Sequence, residues 1–137
     1  MIVVDASTVV SWVLDDESSP EADAAIEVLA RDGGYVPSNF ITEVAHALLT
    51  AERRGRIDEI SSGISLAEIL ALPITVEAPD PHTVLALART RRLTGYDAAY
   101  LALALQAQVP LATVDRGLAA AASAEGCAYA PPPPSKP

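Results

Sequence analysis

The chain opens with Met1-Ile2-Val3-Val4-Asp5-Ala6-Ser7, and a counterpart follows much later in Leu111-Ala112-Thr113-Val114-Asp115. In both, a short apolar run stops at an aspartate. Apolar residues that do not alternate with polar ones suit a strand buried on both faces of a parallel sheet. An acid directly after such a strand stands at the carboxyl edge of the sheet, where open α/β sheets bind their ligands. The two stretches therefore point to a class of fold and to the end of the sheet that carries a site.

Between them, helix and strand signals alternate. Val9, Trp12 and Val13 predict a helix over 8–14, and Asp15-Asp16-Glu17 reads as a solvated loop. Ser18 with Glu21, and Pro20 just inside the start, open a helix to about residue 31 that stops at Gly33-Gly34. Tyr35-Val36 is a minimal second strand. Ser38 or Asn39 caps a helix to Arg54, ended by Gly55. Another helix covers 58–72 in spite of Gly63, and 74–77 reads as a third strand after Pro73. Asp80-Pro81 opens a helix to about residue 93, and Thr94 with Asp97 matches a capping box for a helix to 108. The fourth strand covers 111–114, and an alanine-rich helix stops at Gly126. Ala128-Tyr129 is a candidate edge strand. Strands alternating with helices imply an α/β fold, with a parallel sheet covered on both faces. The expected domain is 1–130. It is followed by a disordered, polyproline-like tail, Pro131-Pro132-Pro133-Pro134-Ser135-Lys136-Pro137.

Composition excludes several classes. Of 137 residues, half are hydrophobic and a fifth charged, which suits a globular chain that needs no disulfide or metal staple. A single cysteine, Cys127, excludes an internal disulfide and a cysteine-based zinc cluster, and reads as a small buried residue. Two isolated histidines, His46 and His82, exclude a histidine-rich metal site. Mean hydropathy is positive, at +0.27. Yet the longest charge-free run, 98–114, holds Gln106, Gln108 and Pro110 and is shorter than the roughly 20 apolar residues of a membrane span. No basic, apolar leader precedes Asp5, so the expected location is the cytoplasm. The apolar stretches Trp12-Val13-Leu14 and 101–105 suggest more apolar surface than a monomer hides.

The net charge of −9, from 18 acids and 9 bases, argues against a broad phosphate-binding surface unless acids are gathered to hold cations. Asp5 and Asp115 fall at the sheet's carboxyl edge. Glu43 lies about 40° around its helix from Ala47, at the border of the stripe Phe40, Val44, Ala47, Leu48 and Ala51. Asp97 stands in the first turn of a helix with almost no polar side. Each acid also has a plainer reading. Asp115 serves as a helix cap, Asp97 as the partner of Thr94, Glu43 as a solvated helix residue, and Asp5 as a turn residue. Convergence would have a cost, because two carboxylates about 5 Å apart repel by roughly 3 kcal/mol at an effective dielectric near 20. Such a group must be partly protonated or hold cations. Oxygen donors alone select hard ions, Mg²⁺ or Mn²⁺, and carboxylate sites of this kind serve phosphodiester hydrolysis without a histidine base.

With these residues identified, the chain resembles the PIN-domain ribonucleases of the VapC toxin type over residues 1–130. Four segments carry the resemblance: Val4-Asp5-Ala6-Ser7; Thr42-Glu43-Val44-Ala45-His46-Ala47-Leu48; Tyr96-Asp97-Ala98-Ala99-Tyr100-Leu101-Ala102-Leu103-Ala104; and Ala112-Thr113-Val114-Asp115-Arg116-Gly117-Leu118. The third is the most diagnostic, and their order and spacing are more specific than any one alone. The resemblance implies a three-layer α/β/α fold with a short parallel sheet of four to five strands. It implies catalytic and metal-ligating roles, toward Mg²⁺ or Mn²⁺, for Asp5, Glu43, Asp97 and Asp115. Ser7 and Thr113 match positions whose hydroxyls support the site. His46 stands where many relatives carry asparagine, about 60° around the helix from Glu43, within reach as a supporting donor. The resemblance further implies an endoribonuclease that acts as the toxin of a toxin–antitoxin pair, a small antitoxin protein that covers the active-site groove, and a homodimer.

All but one of the nine bases are arginines, and six form two clusters, Arg53, Arg54, Arg56 and Arg89, Arg91, Arg92. Each cluster ends a helix, where cations suit the dipole, and each is a candidate for RNA-phosphate contact. Trp12 and Tyr100 read as core or dimer surface, not as base-stacking platforms. Three other functions compete: a non-catalytic PIN-fold binding module, a PIN nuclease in RNA processing outside a toxin–antitoxin pair, and phosphoryl transfer through Asp5 as nucleophile. The last lacks its usual neighbours, since residue 7 is serine and the one lysine is Lys136.

Overall fold

A computed structural model describes residues 1–17 and 19–133. Its elements run β1 (Ile2–Val4), α1 (Ala6–Val13), a 3-10 turn (Asp15–Glu17), α2 (Pro20–Asp32), β2 (Gly34–Val36), α3 (Asn39–Arg53), α4 (Glu59–Leu70), β3 (Ile74–Val76), α5 (Pro81–Arg91), α6 (Gly95–Ala107), β4 (Leu111–Ala112) and α7 (Arg116–Ala124). The four strands form one parallel sheet in the order β3-β2-β1-β4. Ile2 lies opposite Gly34, and Val4 opposite Ala112.

This order places the site. The chain steps outward from β1 to β2 and β3, then crosses back to β4 on the far side of β1. Right-handed crossovers put α1 to α4 on one face and α5 to α7 on the other. The packing agrees, with α1 against α2 and α3, α3 against α4, and α6 against α5 and α7. The direction of winding reverses between β1 and β4, and such a reversal opens a crevice beyond the carboxyl ends of the two strands. Asp5 follows β1 directly, and Thr113 follows β4.

Ile2, Val3 and Val4 are fully buried, as strands covered on both faces require. Every residue of α6 from Ala98 to Ala104 is buried, which suits a helix that is apolar all round. Gly34 admits no side chain, because an added Cβ would stand 2.4 Å from the Ile2 carbonyl oxygen and 2.6 Å from Leu29 Cδ1. This close approach lets α2 lie against the sheet.

Several boundaries differ from the sequence reading. Helix α1 starts at Ala6, two residues early, because the Asp5 carboxylate caps it by accepting from the Thr8 N–H. The acidic stretch after it is a 3-10 turn, with Asp16 and Glu17 paired to Arg56 at 2.8 and 2.9 Å. The cap of α2 is Ser19, which accepts from the Ala22 N–H at 3.1 Å; Ser18 lies outside the described residues. Strand β4 stops at Ala112, because Thr113 Oγ1 accepts from the Asp115 N–H at 3.0 Å and turns the chain into α7. Ala128 makes a single bridge to Leu111 and no longer strand. Cys127 is half-buried, not buried. Of the proline-rich tail, residues 134–137 lie outside the described residues.

The apolar surface also lies elsewhere than expected. Leu101, Leu103 and Leu14 are buried, and Trp12 packs half-buried on the core. It is α4 that turns apolar side chains outward: Ile60 is 76% exposed, Ile64 56% and Leu70 57%, while Ser62 and Ser65 face inward. No helix among the described residues is long and apolar enough to cross a membrane.

Candidate active site

Asp5 is the most enclosed of the four acids, at 4% exposure. Thr113 Oγ1 donates to its Oδ2 at 2.6 Å, and Ser7 Oγ lies 2.8 Å from both oxygens. Thr8 donates to Oδ1 twice, through its backbone N–H at 3.1 Å and its hydroxyl at 2.9 Å. All of these donors are neutral. Burial holds the Asp5 carboxyl above the ordinary carboxylate range, and the hydroxyls of Thr113, Ser7 and Thr8 pull it partly back.

Glu43 reaches the site from α3. Its Oε2 accepts from Asn39 Nδ2 at 2.6 Å and from Tyr100 Oη at 2.7 Å. Asp97 sits in the first turn of α6, its backbone N–H donating to Thr94 Oγ1 at 3.1 Å. Asp115 caps α7 by accepting from the Leu118 N–H at 2.8 Å. The plainer cap readings of Asp97 and Asp115 thus describe real bonds, but the electrostatics show more. The Asp97 carboxyl is pushed up by partial burial first, and then by the charges of Asp115, Asp5 and Glu43. Asp97 therefore lies within electrostatic reach of all three.

A cleft of about 790 Å³ opens beside these acids, between α1 and α3. Glu43 lines it. Each of the other acids has a neighbour that does: Ser7, bonded to Asp5; Tyr96, before Asp97; and Val114, before Asp115. His46 also lines the cleft and makes no hydrogen bond to Glu43. Arg54 and Arg56 line its wall, with Arg56 already paired to Asp16 and Glu17. Arg53 stands outside the cleft at the end of α3. Arg89, Arg91 and Arg92 do not line it either, and Arg91 is paired with Glu125.

The donor set suits a hard divalent cation. It is all oxygen, it is anionic, and its most enclosed member is hydrogen-bonded to neutral donors, which orient Asp5 without cancelling its charge. The spacing is a separate matter. Among the described residues, no three His, Cys, Asp or Glu side chains stand close enough to hold a metal ion as they are. The hydrogen bonds account for part of this: the carboxylates of Asp5, Glu43 and Asp115 are each turned to protein donors, Thr113, Tyr100 and the Leu118 N–H among them. Tyr100, Asn39 and Thr8 were missed as site residues in the sequence. Asn39 stands one turn before Glu43, and Thr8 three residues after Asp5, which are spacings that permit such bonds. The 57 residues between Tyr100 and Glu43 gave no such signal.

Comparison with known proteins agrees with this geometry. The PIN domain model matches residues 2–124. Ribonuclease VapC1 of Mycobacterium tuberculosis is 37% identical over 124 residues, covering 77% of this chain and 91% of that protein. Ribonuclease VapC3 of Pyrobaculum aerophilum is 33% identical over 122 residues, covering 86% and 92%. The crystal structure of PAE2754 from Pyrobaculum aerophilum superposes with a TM-score of 0.69 at 28% identity, covering 88% of this chain and 83% of that one. The chain belongs to the PIN domain family and is of the VapC type.

Proposed function

We propose that this chain is a Mg²⁺- or Mn²⁺-dependent endoribonuclease and the toxin of a toxin–antitoxin pair. The observation that carries this reading is the gathering of four acids at one end of the sheet, where Asp97 is partly buried and feels the charges of Asp115, Asp5 and Glu43. A cation is the simplest neutraliser of such a group. The relatives named as ribonucleases supply the substrate class, RNA.

Asp5, Glu43, Asp97 and Asp115 would hold the ion, with Ser7 and Thr113 fixing the orientation of Asp5. A divalent cation bound there supplies a lowered pKa for water and compensates the charge that builds on phosphate oxygens. Arg54, on the cleft wall and free of the pairing that occupies Arg56, is the basic residue best placed to meet a phosphate of the strand. His46 stands ready at the same wall. The apolar part of the cleft, from Val10 and Leu14 to Ala47, suits the small antitoxin protein. The outward face of α4 suits a second copy of the chain. Residues 1–130 form the working domain, and an RNA substrate sets the cytoplasm as its place of action.

The test is RNA cleavage by the purified chain in Mn²⁺ and in EDTA. Cleavage in Mn²⁺ and none in EDTA is the expected result. RNA that is bound equally in both conditions and left uncut would make the chain a binding module.

A further inference from the structure

The oxygens of Glu43 are treated unequally. Oε2 receives two hydrogen bonds, from Asn39 Nδ2 at 2.6 Å and from Tyr100 Oη at 2.7 Å. Each oxygen of a carboxylate offers about two lone-pair sites, so Oε2 is saturated. Oε1 accepts no hydrogen bond among the described residues, and Glu43 lines the cleft. We infer that Tyr100 and Asn39 are positioning residues that fix Glu43 as a one-oxygen ligand, with Oε1 alone left for a divalent cation. This rests on the cation reading above and specifies it.

The two donors differ in origin. Asn39 precedes Glu43 by one turn of α3, so its bond is local to one helix. Tyr100 comes from α6, three residues after Asp97 and on the same side of that helix. It is 1% exposed, inside a stretch that is buried throughout. A phenol carries its proton at neutral pH, and this one donates it to Glu43 Oε2. Tyr100 therefore ties the wall that carries Glu43 to the wall that carries Asp97. The terminal torsion of a glutamate is soft and presents either oxygen or both. Two donors on one oxygen, one of them anchored in the core, remove that freedom before any ion arrives.

The test is calorimetric titration of the full chain with Mn²⁺ alone, joined to RNA cleavage kinetics. Tyr100→Phe removes one hydroxyl and keeps the ring. It is expected to weaken Mn²⁺ binding by about tenfold or more, within the range of about 10–100-fold for partners of metal ligands. It should lower kcat and leave KM for RNA unchanged. In a Glu43→Ala background, the same substitution should have no further effect on Mn²⁺ affinity, because its influence passes through Glu43. Unchanged Mn²⁺ affinity in Tyr100→Phe, or an equal loss in the Glu43→Ala background, would overturn the inference. Should Tyr100→Phe fail to fold, Asn39→Ala tests the same oxygen from the half-buried side, with the same weakening expected and unchanged affinity again decisive against it. An unaltered chain that takes up no Mn²⁺ would remove the cation reading and this inference together. Uptake that Tyr100→Phe and Asn39→Ala leave intact would remove the inference alone.

Discussion

Asp97 and Asp115 each combine a local helix role with a place near other acids, and substitution separates the two. Asp97→Asn removes one of four mutually repelling charges and keeps the shape of the side chain. Cleavage should fall by more than about a hundredfold, beyond the loss of a supporting partner. The melting temperature in EDTA at neutral pH should rise, because the carboxyl is held above its ordinary range by burial and like charge. A cleavage gel and a thermal melt check both. Asp115→Asn should leave the fold within about 0.5 kcal/mol, since asparagine caps helices as well as aspartate, whereas Asp115→Ala should cost about 1 kcal/mol in urea unfolding. If Asp115 is a ligand, both variants lose cleavage. The placement of Asp5 at the sheet's carboxyl edge was legible in the sequence because it directly follows an apolar strand, and that of Asp115 because it closes the turn after one. Tyr100 was not, because its bond to Glu43 depends on how α6 seats against α3, and no local spacing records that.

At the level of elements, periodicity and caps marked the helices well, and the errors have a common cause. Helix α1 begins early and β4 ends early where a side chain, Asp5 or Thr113, takes over a backbone hydrogen bond. Such a bond shortens or lengthens an element without altering its apolar pattern. Helix α4 was found, but its orientation was not, since burying Ser62 and Ser65 while exposing Ile60 and Ile64 inverts the usual pattern. Gly63 lies in this helix with open space where a Cβ would stand. Gly63→Ala should therefore stabilise the fold by about 0.5–1 kcal/mol, read from the urea midpoint at unchanged m-value, with cleavage unaffected.

For the molecule as a whole, the burial of Asp5 and the crowding of Asp97 couple stability to pH. Both carboxyls are raised, so between the ordinary carboxylate pKa and their raised values the folded chain binds more protons than the unfolded one. Stability then falls as pH rises through that window. The metal-free protein should melt higher at about pH 5 than at about pH 7.5. Mn²⁺ binds the ionised form, and at a hundredfold excess over Kd it should add about 2.7 kcal/mol at the higher pH and less at the lower. Melts across this range check the sign, and an increment that grows on acidification would count against a cation site. The parallel order β3-β2-β1-β4 has one more consequence, for synthesis. The first strand waits at the centre of the sheet for the last, and the carboxylate of Asp5 waits for the hydroxyl of Thr113, 108 residues later. A nascent chain already carries Asp5, Glu43 and Asp97 when most of it has left the ribosome, but it has no β4 to close the crevice. Closure of the crevice therefore waits for the final strand, by the order in which the strands are translated.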